Sequence, residues 1–400
     1  MYEITKKERE HFMKKLKLFR KIKSILSILL ISLLIIPLCS GIGIHAKEKN
    51  TESNEYKIYP IPHSVVYDNE QFVMSDRVHV VFEEGIDKAT QNFLEEVITD
   101  YGKTVVHSEE IVNGETTILL GIKGSNGKAD SYINKNTTIK TSDLFNRTDS
   151  YILSAKENII SIVGKDTDST FFGIATLQMM LTSYEDPALR SVQIEDFSDI
   201  QYRGFIEGFY GGWDYKSRES LMRFARDVKM NHYIYASKTD PYHTSKWGEL
   251  YPQSEIDQIQ KLVKVGEETK CYYTWSVHIS GFFTNLDTSN ETAYNERYQK
   301  LLAKFRQLYD AGVRKFDILN DDFGQGTHED VEAELSALKK LDKSIILYWT
   351  GDDVNSPITQ ETIDYVSEKT GHKVCFWLNY PVNEHGKSGL YLGDITHYAR

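Results

Sequence analysis

Cysteine is scarce in this chain, with three in 400 residues, at positions 39, 271 and 375. Cys271 and Cys375 each lie inside an apolar, strand-like stretch, so buried free thiols are expected rather than a disulfide framework. Basic charge is not in excess either. A net charge of −11 argues against a nucleic-acid or anionic-membrane partner for the mature chain. No zinc-ligand spacing occurs, because His243 and His278 stand isolated. No strand end carries a phosphate-type glycine fingerprint, and the second half has no hairpin signals. What remains is a chain of ordinary apolar (40%) and charged (26%) content, long enough for two or three domains. Its aromatic share of 12%, with 25 Tyr and 5 Trp, suits a ligand with stacking faces, a sugar or a nucleobase.

One long apolar run is present, and it sits at the N-terminus. Lys14, Lys15, Lys17, Arg20, Lys21 and Lys23 precede ILSILLISLLIIPLCSGIGIHA, residues 25–46. A basic segment, an apolar core and a small-residue end read as a secretory signal, with an uncleaved anchor as the alternative. The expected location is therefore secreted or cell-surface. A large exported chain without disulfides suits a bacterial source, which makes the sequons at Asn136, Asn146 and Asn290 chance matches. Polar residues 47–56 read as a linker.

Two rhythms follow. Residues 57–198 mix strand-like runs (78–82, 116–122, 151–155, 159–164) with helical ones (86–101, 170–183), the second helix with Asp168 and Ser169 as possible caps. That pattern predicts a small α+β domain. Residues 199–400 repeat strand then helix six times, with strands at 204–211, 232–236, 271–277, 315–319, 344–349 and 374–378. Leu221, Phe224, Ala225 and Val228 give the first helix an apolar face, Ser254 and Asp257 suit a cap on the second, and Gly312 stops the third. Such repeats predict a parallel sheet with helical crossovers, here a (β/α)8-type TIM barrel that is incomplete. Six strands in roughly 200 residues fall short of the eight in about 250 of a typical barrel.

Barrel chemistry sits at the carboxyl ends of the strands. Those ends read Glu207-Gly208-Phe209-Tyr210, Ser237-Lys238-Thr239-Asp240, His278, Asn320-Asp321-Asp322, Trp349-Thr350-Gly351-Asp352 and Trp377-Leu378-Asn379. The adjacent acids raise the main question. On a regular strand Asp321 and Asp322 point to opposite faces, but a bend at the strand end lets both reach one ligand. Two carboxyls in one apolar-walled site repel, leaving one ionised and one protonated, a division suited to glycoside cleavage. A turn or helix cap is the plain alternative, since Asp is common at both. Lys238 could hold a hydroxyl or simply be solvated. Trp349 and Trp377 could be stacking platforms or core, and Asn379 offers a hydrogen-bond fork for hydroxyls.

RGFIEGFYGGWD (203–214), YIYASKTDPYHTSKWGELYP (233–252), FDILNDDF, LYWTG (347–351) and FWLNYPVNE (376–384), in this order, resemble the catalytic domain of glycoside hydrolase family 84. The YPIPHS segment resembles the α/β domain preceding that family's barrel. The resemblance spans about residues 57–398. It implies a β-N-acetylglucosaminidase that needs no cofactor and uses the substrate's own acetamido oxygen as nucleophile, through an oxazoline. On this likeness Asp321 would hold the acetamido N–H, and Asp322 would be general acid and then base. Gly208 (through its backbone), Lys238, Asn379 and Glu384 would hold sugar hydroxyls, Glu384 standing where the family has Asp. The likeness also implies that one βα unit between the acid pair and WTG is missing, together with its acetamido-orienting Tyr, and that the chain stops before a closing strand. The partner expected is a glycan or glycoprotein, with no nucleic acid, and no membrane unless the N-terminal segment is retained. A sugar-binding remnant without catalysis and a hyaluronan-cleaving enzyme stay open as alternatives.

Overall fold

The computed structural model describes residues 55–183, 187–208, 211–320, 346–349, 360–372 and 374–376. The expected signal segment and the expected helix 328–341 lie outside them. From Tyr56 onward the described residues form one compact unit built on two sheets.

The first sheet has seven strands in the order β1-β7-β5-β6-β4-β2-β3. They are β1 (Ser64–Val73), β2 (Arg77–Phe82), β3 (Thr104–His107), β4 (Thr116–Ile122), β5 (Thr148–Lys156), β6 (Ile159–Gly164) and β7 (Ala188–Ser198). β2 pairs in parallel with β3 and β4, and β4 with β6; β7 runs antiparallel to β1 and β5. Helices α1 (Lys88–Asp100) and α3 (Thr167–Thr182) pack with Val80, Ile118, Leu120 and Ile162 in one core, and α2 (Lys128–Asn136) with Leu119, Ile152 and Val163 in another. Covered on both faces, β4 buries six of its seven residues, which is why its sequence is nearly continuous in apolar residues. β1, β3, β7 and α2 carry too little periodicity to be legible in advance. The α3 cap also differs from expectation. Asp166 accepts from Ser169 N at 2.8 Å, while Asp168 is taken up by Tyr272 Oη (2.7 Å) and Lys270 Nζ (2.8 Å).

The second sheet has six parallel strands in sequential order: β8 (Gly204–Glu207), β9 (His232–Tyr235), β10 (Tyr272–His278), β11 (Lys315–Asn320), β12 (Ile346–Trp349) and β13 (Val374–Phe376). The repeated strand–helix rhythm produces this sheet as expected. The helices are α4 (Tyr215–Asp227), α5 (Gln253–Thr269), the single turn α6 (Ser280–Phe283), α7 (Glu291–Asp310) and α8 (Gln360–Thr370). α7 ends two residues before Gly312, whose φ of +103° is open to glycine and costly for other residues. Met222, Ile259, Leu301 and Val366 from four helices share a core with Tyr233, Tyr273, Trp275, Val277 and Ile318 of the strands. Alternation turns Ile206, Ile234, Leu319 and Tyr348 to the other face, where they form a separate cluster.

Two details depart from the sequence pattern. On α4 the buried residues are Arg218, Met222, Ala225 and Arg226, whereas Phe224 is 56% exposed. The helix is rotated because both arginines reach carboxylates, Arg218 the buried one of Glu207 and Arg226 the half-exposed one of Glu96 on α1. α5 begins after Pro252 with no side-chain cap, so Ser254 and Asp257 lie inside its first turns. Lys229 adds a tie between the sheets, donating to Asp196 (3.0 Å) and Tyr151 (2.9 Å). Cys271 is a buried free thiol and Cys375 a half-buried one.

Candidate active site

Because all six strands run the same way, their carboxyl ends share one edge of the sheet. Glu207 of β8 lies opposite Tyr235 of β9, so Gly208 and Lys238 follow adjacent strand ends. His278 and Leu319 are paired across β10 and β11, and β11 ends at Asn320. Asp321, Asp322, Asn379 and Glu384 lie outside the described residues, as do the segments carrying Thr350 to Asp352 and Trp377. Gly208 and Lys238 are the expected site residues that the structure describes.

Gly208 is held by its neighbour. Glu207 is fully buried and turned toward the helices, where Arg218 binds both its oxygens at 2.8 Å. Tyr233 Oη donates to the same carboxylate at 2.6 Å and Trp213 N at 3.4 Å. Burial would raise its pKa, but the hydrogen bonds from Arg218 and Tyr233 outweigh it and hold the group below the usual glutamate value. A buried charge-assisted fork of this kind fixes the backbone turn that presents Gly208. Gly212 brings the following loop against the next one, since a Cβ there would lie 2.5 Å from Thr239 Oγ1.

Lys238 opens a loop, residues 238–250, that contains Asp-Pro at 240–241, a turn-initiating pair. Asp240 Oδ1 accepts from Tyr242 N at 2.8 Å, and Oδ2 from the hydroxyls of Tyr251 (2.6 Å) and Tyr235 (3.1 Å). Tyr251 Oη in turn accepts from Trp275 Nε1 at 2.9 Å. His243 Nδ1 donates to the carbonyl of Ser276 at 2.7 Å; burial pushes its pKa down to about 4, so the ring is neutral. The signal for this network in the sequence is the cluster of Tyr and Trp at helix-facing strand positions around a DP turn.

On the face away from the helices, deeper along the strands, lies a second polar group. Asp317 is fully buried, with neither oxygen hydrogen-bonded among the described residues. His232 Nε2 stands 3.7 Å from it and 3.4 Å from Tyr348 Oη, and His232 Nδ1 is 3.2 Å from Thr274 Oγ1. Burial raises the Asp317 pKa, with His232 and Lys315 opposing. Asp317 lies on β11, four residues before Asp321 in the sequence. Among the described residues no group of three His, Cys, Asp or Glu side chains is placed to hold a metal ion.

Comparison with known proteins agrees with this arrangement. A β-N-acetylglucosaminidase family model matches residues 203–338 and 324–400, and the model of glycosyl hydrolase family 20, domain 2, matches residues 55–197. The solved structure of CpGH84D is similar at 36% identity and a TM-score of 0.70, covering 83% of this chain and 61% of that one. CpGH84B is similar at 27% identity and a TM-score of 0.66, covering 85% of this chain and 64% of that one. The protein O-GlcNAcases of Rattus norvegicus and Mus musculus each match at 25% identity over 48% of this chain. The chain spans a quarter of the length of these two relatives. Two matched models and the likeness to the CpGH84 structures place the chain in glycoside hydrolase family 84.

Proposed function

We propose that the protein is an exported, retaining β-N-acetylglucosaminidase that removes terminal β-linked N-acetylglucosamine from glycans or glycoproteins, its parallel sheet being part of a (β/α)8-type barrel behind an α+β domain at 57–198. The observation that carries the reading is the shared edge. Gly208 and Lys238 follow neighbouring strand ends, and the acid pair begins one residue beyond β11. Carried past Asn320, the alternation of β11 gives Asp321 the parity of Asp317 and Leu319, away from the helices, and Asp322 the opposite one. Adjacent acids with separate tasks then have a physical basis.

In this mechanism Asp322 gives its proton to the glycosidic oxygen as the bond from that oxygen to C1 breaks. The substrate's acetamido oxygen closes on C1 from the opposite side to form the oxazoline. Asp321 accepts the acetamido N–H and stabilises the positive charge that builds there. The Asp322 carboxylate next takes a proton from water, which attacks C1 and reopens the ring; two inversions give retention. The Gly208 backbone, Lys238, Asn379 and Glu384 hold the sugar hydroxyls.

One observation favours a second reading, a family member with impaired turnover. β11 pairs directly with β12, so no strand stands between them to carry the acetamido-orienting Tyr that the likeness implies. Recombinant protein assayed on 4-nitrophenyl N-acetyl-β-D-glucosaminide decides between the two. Turnover that falls about 10²–10⁴-fold in Asp322→Asn supports the enzyme. A folded wild-type protein that binds N-acetylglucosamine and never turns substrate over supports the second reading.

A further inference from the structure

α7 carries a lysine where its pattern calls for an apolar residue. Tyr294, Leu301, Lys304 and Leu308 form its buried stripe at helical spacing, and Lys304 is fully buried. Among the described residues its ammonium has no carboxylate within hydrogen-bond reach. It donates to the backbone carbonyls of Tyr242 (2.7 Å) and Lys246 (2.8 Å). The rings of Tyr242, Tyr251 and Trp275 surround it, with centroids 5.4, 5.2 and 5.8 Å from Nζ. Burying an ammonium is expensive, and a methionine would fill the same space without that cost. Its two hydrogen bonds both end on one loop. One helical turn further along α7, Gln307 bonds the N–H and the carbonyl of Tyr251, where that loop ends.

We propose that Lys304 is the positioning residue of the Lys238 loop: by clasping the carbonyls of Tyr242 and Lys246 it holds residues 238–250 in the conformation that presents Lys238 to the sugar, and substrate affinity therefore falls as the pH rises. This rests on the reading of Lys238 as a sugar-binding residue. Lys304 touches no substrate itself. The groups facing it are Asp240 and Glu249 from the loop, whose charges favour the ammonium, the phenols of Tyr242 and Tyr251, and Lys246, whose Nζ lies 5.4 Å from the Tyr242 ring centroid. Burial outweighs the two carboxylates and lowers the Lys304 pKa to about 7. The charged clasp is thus strongest below neutral pH and weakens above it, where the neutral amine keeps only its two weaker N–H donors.

The test uses the full chain and the variants Lys304→Met and Lys304→Gln, with Lys238→Ala as reference. In Lys304→Met, KM for the aryl N-acetylglucosaminide should rise about tenfold with kcat changed less than about twofold. The double variant with Lys238→Ala should be no worse than Lys238→Ala alone, because both changes remove the same contact. Lys304→Gln, which keeps a donor, should fall between. Amides of residues 240–249 should exchange at least about tenfold faster in Lys304→Met, while those of β10 stay as they are. In the wild type, KM and loop exchange (corrected for intrinsic rate) should both rise from about pH 6 to about pH 8.5. Unchanged KM and unchanged exchange in Lys304→Met, or a fully additive double variant, would overturn the proposal. Should the variants fail to fold, the wild-type pH series decides, and a flat series counts against the clasp. Should the wild type not turn over, the function falls, and loop exchange alone still decides the role of Lys304.

Discussion

Arg218 lays its guanidinium across both carboxylate oxygens of Glu207, at 2.8 Å each, one residue before Gly208. Neither side chain is more than slightly exposed, so removing one partner strands a buried charge. Arg218→Met should cost about 3–5 kcal/mol of unfolding free energy, and Glu207→Leu with Arg218→Met should recover most of it. Urea unfolding checks both, and a single variant as stable as wild type would sink the idea. The Glu207 pKa is lowered in the fold, so this contribution is present above the ordinary glutamate range and is lost as acid takes the pH below it.

His243 makes stability depend on pH in the same direction over a different window. Its folded pKa of about 4 lies below its ordinary 6.5, so the fold binds this proton less readily than the unfolded chain. The contribution, about 3 kcal/mol at most, is fully present above pH 6.5 and fades toward about pH 4. His243→Gln should flatten the stability curve over that window. Thermal melts at intervals across it are the measurement, and a variant curve parallel to wild type counts against the assignment.

Asp317 should act in the opposite sense. Its pKa is raised, chiefly by burial, so the ionised form is disfavoured in the fold and stability declines as the pH rises through and beyond the normal aspartate value. Asp317→Asn keeps the shape and removes the charge. It should melt higher than wild type at neutral pH, and the gap should close in mild acid. A variant less stable than wild type at neutral pH would show that the carboxylate is wanted in its charged form.

Lys229 ties the two sheets through Asp196 and Tyr151, and burial lowers its pKa despite the neighbouring carboxylate. Lys229→Met should destabilise by about 3–5 kcal/mol, because Asp196 is left buried without its ammonium partner. Combining it with Asp196→Asn should restore part of the loss. Guanidinium unfolding of the three proteins gives the coupling; strict additivity would rule it out.

Much of the second sheet was legible in the sequence, and the reason is local. Apolar runs of strand length separated by amphipathic helices can bury themselves in few ways, so the sequential parallel order follows from the spacing. Gly312 marks the end of α7 because its positive φ is a local requirement. The shared edge at which β8, β9 and β11 end, followed by Gly208, Lys238 and Asn320 at its limit, comes from the same order. The first sheet was half legible. β1 and β7 are long and partly exposed edge-side strands whose pairing joins residues more than a hundred positions apart, which no window of sequence contains.

What the sequence determined by itself is therefore the succession of strands and the motifs at their ends, since periodicity and turn chemistry act over a few residues. Tertiary structure alone decided where charge is buried. Arg218 and Arg226 displace Leu221 and Phe224 from the expected face of α4, and Lys304 occupies a core position of α7. Each is stable there only because carboxylates, carbonyls or aromatic faces from distant segments meet it. The cost of burying a charge is fixed by the residue, but its compensation is fixed by neighbours that only the fold supplies.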